Sequence, residues 1–182
     1  VIDGVIAYIE NKNISLANMM KIIKGPDFPT GGYVVPGEGL KQAYDTGKGK
    51  ILIRAKMHVE AGNADRRNIV ITEIPYGRTT SSLIDSILKA NEKGKIKIKK
   101  IDDNTAANVE ILVHLAPGVS SDKTIDALYA CTDCELSVSP NSCVIEDDKP
   151  VFMPVSEILK KSVDDTVALL LTELKIRLGE LE

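Results

Sequence analysis

The sequence predicts a mixed α/β fold, of the α+β kind, that runs out into one long helix. Three patterns carry the prediction. Residues Lys50 to Glu60 alternate apolar and polar, and Ile69 to Ile74 offers a return strand across a polar turn. Serine, threonine and glycine stand where intervening short helices need caps. From Val155 to Leu181 the apolar residues step by three and four without interruption.

Taken in order, Val1 to Glu10 and Leu16 to Ile23 read as short helices, the second capped by Ser15. Gly25-Pro26-Asp27-Phe28-Pro29-Thr30-Gly31-Gly32 then fixes a stiff, non-helical path. Proline locks φ, the residue before a proline is driven toward extended geometry, and glycine reaches dihedrals closed to other residues. Tyr33-Val34-Val35 is a short extended piece, and Gly39 to Thr46 a brief helix stopped by Gly47. In the strand Lys50 to Glu60, Ile51, Ile53, Ala55, Met57 and Val59 share one side; the other carries Lys50, Arg54, Lys56, His58 and Glu60, interrupted by Leu52. A polar turn spans Ala61 to Asn68, and Pro75-Tyr76-Gly77 ends the return strand.

Thr80 or Ser81 caps the next helix, which runs through Leu83, Ile84, Ile87 and Leu88 toward a stop at Gly94. Lys95 to Ile101 alternates as a strand, and Asn108 to Leu115 forms another with Val109, Ile111 and Val113 on one face. Ser121 or Asp122 opens a helix through Ile125, Leu128 and Tyr129. Glu135 to Ser139 and Ser142 to Glu146 read as a hairpin around Pro140-Asn141. After Pro154, the stripe Val155, Leu159, Val163, Val167, Leu170, Leu174, Leu178 and Leu181 describes a helix about 40 Å long at ~1.5 Å per residue. That length suits the root of a helical arm better than a globular helix. No repeat or low-complexity segment interrupts the chain.

Composition narrows the function. No apolar run approaches the ~20 residues needed to cross a bilayer. The N-terminus lacks the basic start and apolar stretch of a signal peptide. The three cysteines are therefore expected to be reduced thiols of a cytoplasmic protein. Both ends read as cut, because Val1 to Ile6 resembles the inside of a helix and the last helical pattern is still running at Leu181. The net charge of -3 hides a segregation, with residues 1–120 carrying 17 basic and 13 acidic side chains and residues 121–182 carrying 6 and 13. A chain so divided can turn one region toward a polyanion despite an acidic pI.

The densest basic segment is Lys89 to Lys100, with six lysines opposed only by Glu92. Strand alternation would line up Lys95, Lys97 and Lys99 about 6.6 Å apart and send Ile96 and Ile98 inward. Such a row suits phosphate groups, since point-charge attraction tolerates loose geometry. Lysines on an edge strand also guard against edge-to-edge aggregation, and that reading stands beside the first. Lys48, Lys50, Arg54, Lys56 and Arg78 lie on neighbouring segments and could extend the same surface. An aromatic fraction of 4% argues against stacking on single strands and for backbone contact with a duplex.

Other chemistry is weaker. Cys131-Thr132-Asp133-Cys134 is a lone CxxC, with Cys143 nearby, and zinc commonly takes two such pairs. The motif closes a helix instead of opening one, so its thiols gain nothing from a helix N-terminus and read as incidental and largely buried. A zinc- or thiol-dependent module built on Cys131, Cys134 and Cys143 is the alternative function. Asp102-Asp103, Asp147-Asp148 and Asp164-Asp165 read as solvated turn and helix residues, and no metal site is expected. No phosphate-loop motif is present, since Gly47-Lys48 and Gly94-Lys95 are each followed by the wrong residue.

Three strings are distinctive together: the connector Gly25 to Gly32, Tyr44-Asp45-Thr46-Gly47-Lys48-Gly49-Lys50, and Glu73-Ile74-Pro75-Tyr76. With Asn108 to Leu115, Ile125 to Tyr129 and the final helix, the chain resembles, nearly end to end, the breakage-reunion (A) subunit of bacterial type IIA DNA topoisomerases. Residues Thr79 to Ser121 look nearer to topoisomerase IV than to gyrase. The resemblance implies the tower domain, a curved, mainly antiparallel sheet flanked by helices. Residues 1–24 would lead in from an upstream DNA-binding region, 25–153 would form the tower-like domain, and 154–182 would begin a coiled-coil arm. It further implies a parent enzyme that passes one duplex through a double-strand break on the nucleoid. That enzyme would use Mg²⁺ and ATP, with a second A subunit beside the first, plus a partner B subunit. This piece would need no cofactor of its own. The family's reactive tyrosine follows an arginine and precedes a threonine. Tyr8, Tyr33, Tyr44, Tyr76 and Tyr129 lack that setting, which implies a catalytic residue upstream of Val1 and a fragment inactive alone.

The implied share of this piece is mechanical: to grip duplex DNA and help hold it bent, against a cost of roughly 1–6 kcal/mol for 20–30 base pairs. The expected phosphate contacts are Lys48, Lys50, Arg54, Lys56, Arg78, Lys95, Lys97 and Lys99.

Overall fold

The structure, a computed structural model, describes residues 1–61 and 67–181. Its helices are α1 (Ile2–Glu10), α2 (Leu16–Ile22), α3 (Glu38–Thr46), α4 (Thr80–Glu92), α5 (Ser121–Cys131) and α6 (Val155–Leu181). Its strands are β1 (Tyr33–Val35), β2 (Ile51–Arg54), β3 (Lys56–Ala61), β4 (Arg67–Glu73), β5 (Ile98–Asp103), β6 (Ile111–Leu115), β7 (Glu135–Val138), β8 (Cys143–Glu146) and β9 (Lys149–Phe152). The expected mixed α/β class, with antiparallel pairing and a long last helix, is what forms. The chain divides into two units, Val1–Pro26 with Gly37–Ile51 and Ser139–Glu182, and Asp27–Pro36 with Leu52–Val138.

In the first unit, α1 packs on α2 and on α6, and α3 packs on α6. Gly4 permits the α1 contact, since a Cβ there would meet the Ile23 side chain and the Met19 sulfur. Ser15 caps α2, its hydroxyl accepting from the Asn18 N–H at 3.4 Å. Gly47 ends α3 in the left-handed region at φ 72°. Met19, Leu40, Ala43, Tyr44, Ile51, Met153 and Leu159 are buried. The expected hairpin around Pro140-Asn141 does not form. Cys143–Glu146 pairs instead with β9, through a two-residue turn at Asp147 and Asp148 with φ of 47° and 61°. Two successive left-handed residues match the twist of a hairpin, and aspartate tolerates that conformation better than most side chains. Strand β9 was not expected from the sequence. Helix α6 has the expected bounds, and from Asp164 to Leu181 every residue is exposed.

In the second unit a four-stranded antiparallel sheet runs β3-β4-β6-β5. Ile69, Ile71, Ile111 and Val113 are fully buried, in one cluster with Leu83, Ile87 and Ala90 of α4 and Leu128 of α5. Thr79, not Thr80 or Ser81, caps α4: its hydroxyl accepts from the Ser82 N–H at 3.2 Å while Ser82 Oγ accepts from the Thr79 N–H at 3.1 Å. Similarly, Ser120 is the N-cap position of α5. The turn expected over 61–68 falls, at 62–66, outside the described residues.

A second sheet runs β1-β2-β7, and here the structure corrects the sequence twice. The expected single strand of 50–60 is two strands in two sheets, divided at Ala55. Ala55 is fully buried, donates its N–H to the Cys134 carbonyl at 2.7 Å and accepts from the Tyr129 hydroxyl at 2.9 Å. The apolar alternation continues across the break, so periodicity could not reveal it. Glu135–Val138 lies beside β2, not beside Ser142–Glu146.

Candidate nucleic-acid interface

Two of the distinctive strings meet in the second unit. Glu73, at the end of β4, accepts the Gly32 N–H at 2.6 Å, and Tyr76 lies 5.6 Å from the Phe28 ring, centroid to centroid. A side chain at Gly31 would be strained at φ 71°, and its Cβ would displace the Glu73 carboxylate. The Gly32 N–H, and after it Lys56, hold the Glu73 carboxyl below the usual carboxylate range. The connector is thus tied to the strand by one carboxylate. In the first unit, Gly39 and Gly49 allow the Tyr44–Lys50 string to approach the start of α3 closely, a Cβ on either striking a backbone carbonyl.

Of the eight cations expected to meet phosphate, Lys48 and Lys50 belong to the first unit and the other six to the second. Arg54 is bound to Glu135 at 2.6 Å and lies 4.7 Å from the centre of the Tyr129 ring. Lys56 is bound to Glu73 at 3.1 Å, and that hydrogen bond raises its pKa. Arg78 is bound to Asp133 at 3.2 Å. Three of the eight are therefore engaged by the chain's own carboxylates. Lys48 lies 5.2 Å from the centre of the Phe152 ring, and Lys50 is exposed.

Lys95, Lys97 and Lys99 are all exposed, while Ile96 is buried and Ile98 half-buried, as the alternation implies. The expected strand begins late, however: β5 starts at Ile98, so Lys95 and Lys97 lie in the irregular segment before it. Pairing then slips between Ile98, opposite Leu115, and Lys100, opposite His114. Lys99 is the extra residue, and the even 6.6 Å row is not formed. Because β5 is an edge strand, the bulge also disrupts the open edge of the sheet.

Among the described residues Lys50, Lys95, Lys97 and Lys99 have no carboxylate within 4.0 Å, and neither do Lys89 and Lys93, which were not among the expected contacts. Lys100 differs, being bound to Asp102 at 2.6 Å; that contact and His114 hold the Asp102 carboxyl low. A set of unpaired ammonium groups can offer attraction to phosphate without base readout.

The cysteine alternative finds no support. Among the described residues no three His, Cys, Asp or Glu side chains converge into a metal site. Cys131 and Cys143 are exposed and Cys134 buried, so the expectation of buried thiols at both positions of the CxxC is corrected at Cys131. Burial pushes the Cys134 thiol up to about 11, the opposite of an activated thiolate. No described helix is long and apolar enough to cross a membrane.

Comparison with known proteins agrees with the strings. The family of DNA gyrase/topoisomerase IV A subunits matches residues 1–182. The DNA topoisomerase 4 A subunit of Staphylococcus epidermidis is 32% identical over 184 residues, covering 100% of this chain and 23% of that protein. That of Borreliella burgdorferi is 40% identical over 152 residues, covering 84% and 23%. The DNA gyrase A subunit of Leptospira biflexa is 39% identical over 163 residues, covering 87% and 19%. The chain thus spans about a fifth of the length of these curated relatives, and both enzyme names occur among them at overlapping identities. With a family match over its whole length and connector motifs that close on one another in space, this chain belongs to the family of DNA gyrase and topoisomerase IV A subunits.

Proposed function

We propose that this chain is the DNA-holding, tower-like part of a type IIA topoisomerase A subunit, gripping duplex DNA through sequence-independent phosphate contacts and helping to keep it bent during double-strand passage. The observation that carries the reading is the exposed set Lys95, Lys97 and Lys99, without a carboxylate partner among the described residues, in a member of this family. Lys48 and Lys50, in the first unit, would offer phosphate contacts of their own. Arg54, Lys56 and Arg78 would join by exchanging their own carboxylates for phosphate. Residues 25–153 would act as the tower-like domain and 154–182 as the start of a coiled-coil arm, a role that suits the exposed leucines Leu170, Leu174 and Leu178 of α6.

In the whole enzyme, ATP and Mg²⁺ would act with a second A subunit, plus a B subunit, on cytoplasmic, nucleoid-associated DNA. Strand breakage would belong to a tyrosine outside this chain, so the chain alone would bind DNA without cutting it. Fluorescence anisotropy with two unrelated duplexes tests the reading. Affinity should be equal for both and fall with salt, and replacing Lys95, Lys97 and Lys99 with alanine should lower the salt slope by about one per lysine. An unchanged slope and affinity in that variant would refute the assignment of these three lysines.

A further inference from the structure

A groove of about 420 Å³ opens along α4 in the second unit, lined by Arg78, Ser82, Ser86, Lys89, Lys93 and Lys95, with Asp85, Asp133 and Cys131 also on its walls. Its charge is lopsided for a structural reason. Asp133 is consumed by Arg78 at 3.2 Å, and the Asp133 N–H is pinned by Ser86 Oγ at 2.9 Å, which fixes that wall against α4. Asp85 is then the remaining carboxylate of the groove, against three ammonium groups with no ion-pair partner among the described residues.

Lys89 and Lys93 are one helical turn apart, about 5–6 Å between Cβ atoms, where like charges repel. Lys95 is brought beside them by the turn that ends α4. Gly94 sits at φ 70°, its N–H reaching the Asn91 carbonyl at 2.9 Å, and the Lys95 N–H reaches back to Ala90 at 3.0 Å. The carbonyl end of α4 favours cations there, which makes the cluster tolerable without neutralising it. An anion would relieve it.

We propose that this groove is a phosphate seat in which Lys89, Lys93 and Lys95 engage the backbone of one nucleic-acid strand. The inference rests on the DNA-holding reading and adds Lys89 and Lys93 to it. A strand with one charge per ~3.4 Å of axial rise presents phosphates within reach of ammonium groups at this spacing. The groove is open and its lining mostly polar, which fits a strand passing along it better than an enclosed small molecule.

The test uses the 182-residue chain and a labelled 20–30 base-pair duplex. Lys89→Gln/Lys93→Gln should lower the slope of log affinity against log salt by about two, at ~0.9 per phosphate contact, whereas Lys89→Arg/Lys93→Arg should keep it. Circular dichroism checks that both variants are folded. Cys131, exposed on the groove wall, supplies a second readout. Its alkylation, resolved by mass spectrometry, should slow several-fold when wild-type chain is saturated with duplex. A glutamine variant with an unchanged slope, or a Cys131 that alkylates equally fast with and without bound duplex, overturns the seat and leaves the DNA-holding reading standing. Absence of any duplex binding by the wild-type chain overturns both.

Discussion

Replacing Tyr129 with phenylalanine should weaken the second unit through a single buried acceptor. The Tyr129 hydroxyl donates to the Ala55 carbonyl at 2.9 Å, at the residue where one continuous apolar alternation is divided between two sheets. Ala55 is fully buried, so its carbonyl lacks direct access to bulk water. A neutral hydrogen bond contributes about 0.5–1.5 kcal/mol net, but a buried acceptor left without its donor costs about 1–3 kcal/mol. The ring itself stays, so packing and the Arg54 contact at 4.7 Å survive. The expected loss is thus about 1–2 kcal/mol, a fall in melting temperature of about 2–8 °C for a chain of this size. Tyr129→Leu should cost a further ~0.5–1 kcal/mol, because it also removes the ring beneath the half-exposed guanidinium. Thermal melts by circular dichroism measure both, and hydrogen exchange at the Ala55 and Lys56 amides localises the effect. A Tyr129→Phe variant that melts with the wild type, and exchanges no faster there, would refute the view that this hydroxyl secures the division of the strand.

Two further outcomes follow from the ties around the connector and the short helix. The Glu73 carboxyl is held low first by the Gly32 N–H and then by Lys56, so its stabilisation is present above its ordinary value of 4.5 and is lost as pH falls through the lower folded value. Wild-type melting temperature should therefore drop more steeply than that of Glu73→Gln as the pH is lowered below 4.5; parallel curves would dismiss the tie. Gly39→Ala should destabilise the first unit by about 1–3 kcal/mol, because the added methyl would drive into the Lys50 carbonyl, a backbone group with no side chain to move aside. Unchanged denaturation of that variant in urea would show that the backbone yields freely there.

What could be read from the residues alone was whatever their near neighbours decide. Ser15 capping α2, Gly47 and Gly94 in left-handed geometry, and the full extent of α6 are settled within a turn or two of chain, by caps, glycine dihedrals and helical period. The β3–β4 hairpin was legible for the same reason. So was the inward turn of Ile96, since alternation holds locally even where no strand has begun.

Partner choice was decided only by the tertiary structure. Period-two alternation says which side of a strand is apolar but not which strand lies beside it. The break at Ala55 and the placement of β7 beside β2 were therefore invisible until the sheets assembled. The same limit governs the cations. Arg54 and Arg78 look as free in the sequence as Lys95, yet the fold sets Glu135 and Asp133 against the two arginines and leaves the lysines of the α4 end without an ion-pair partner among the described residues. A charge is written into the chain one residue at a time, but whether it is neutralised depends on residues that folding alone brings within a few ångströms.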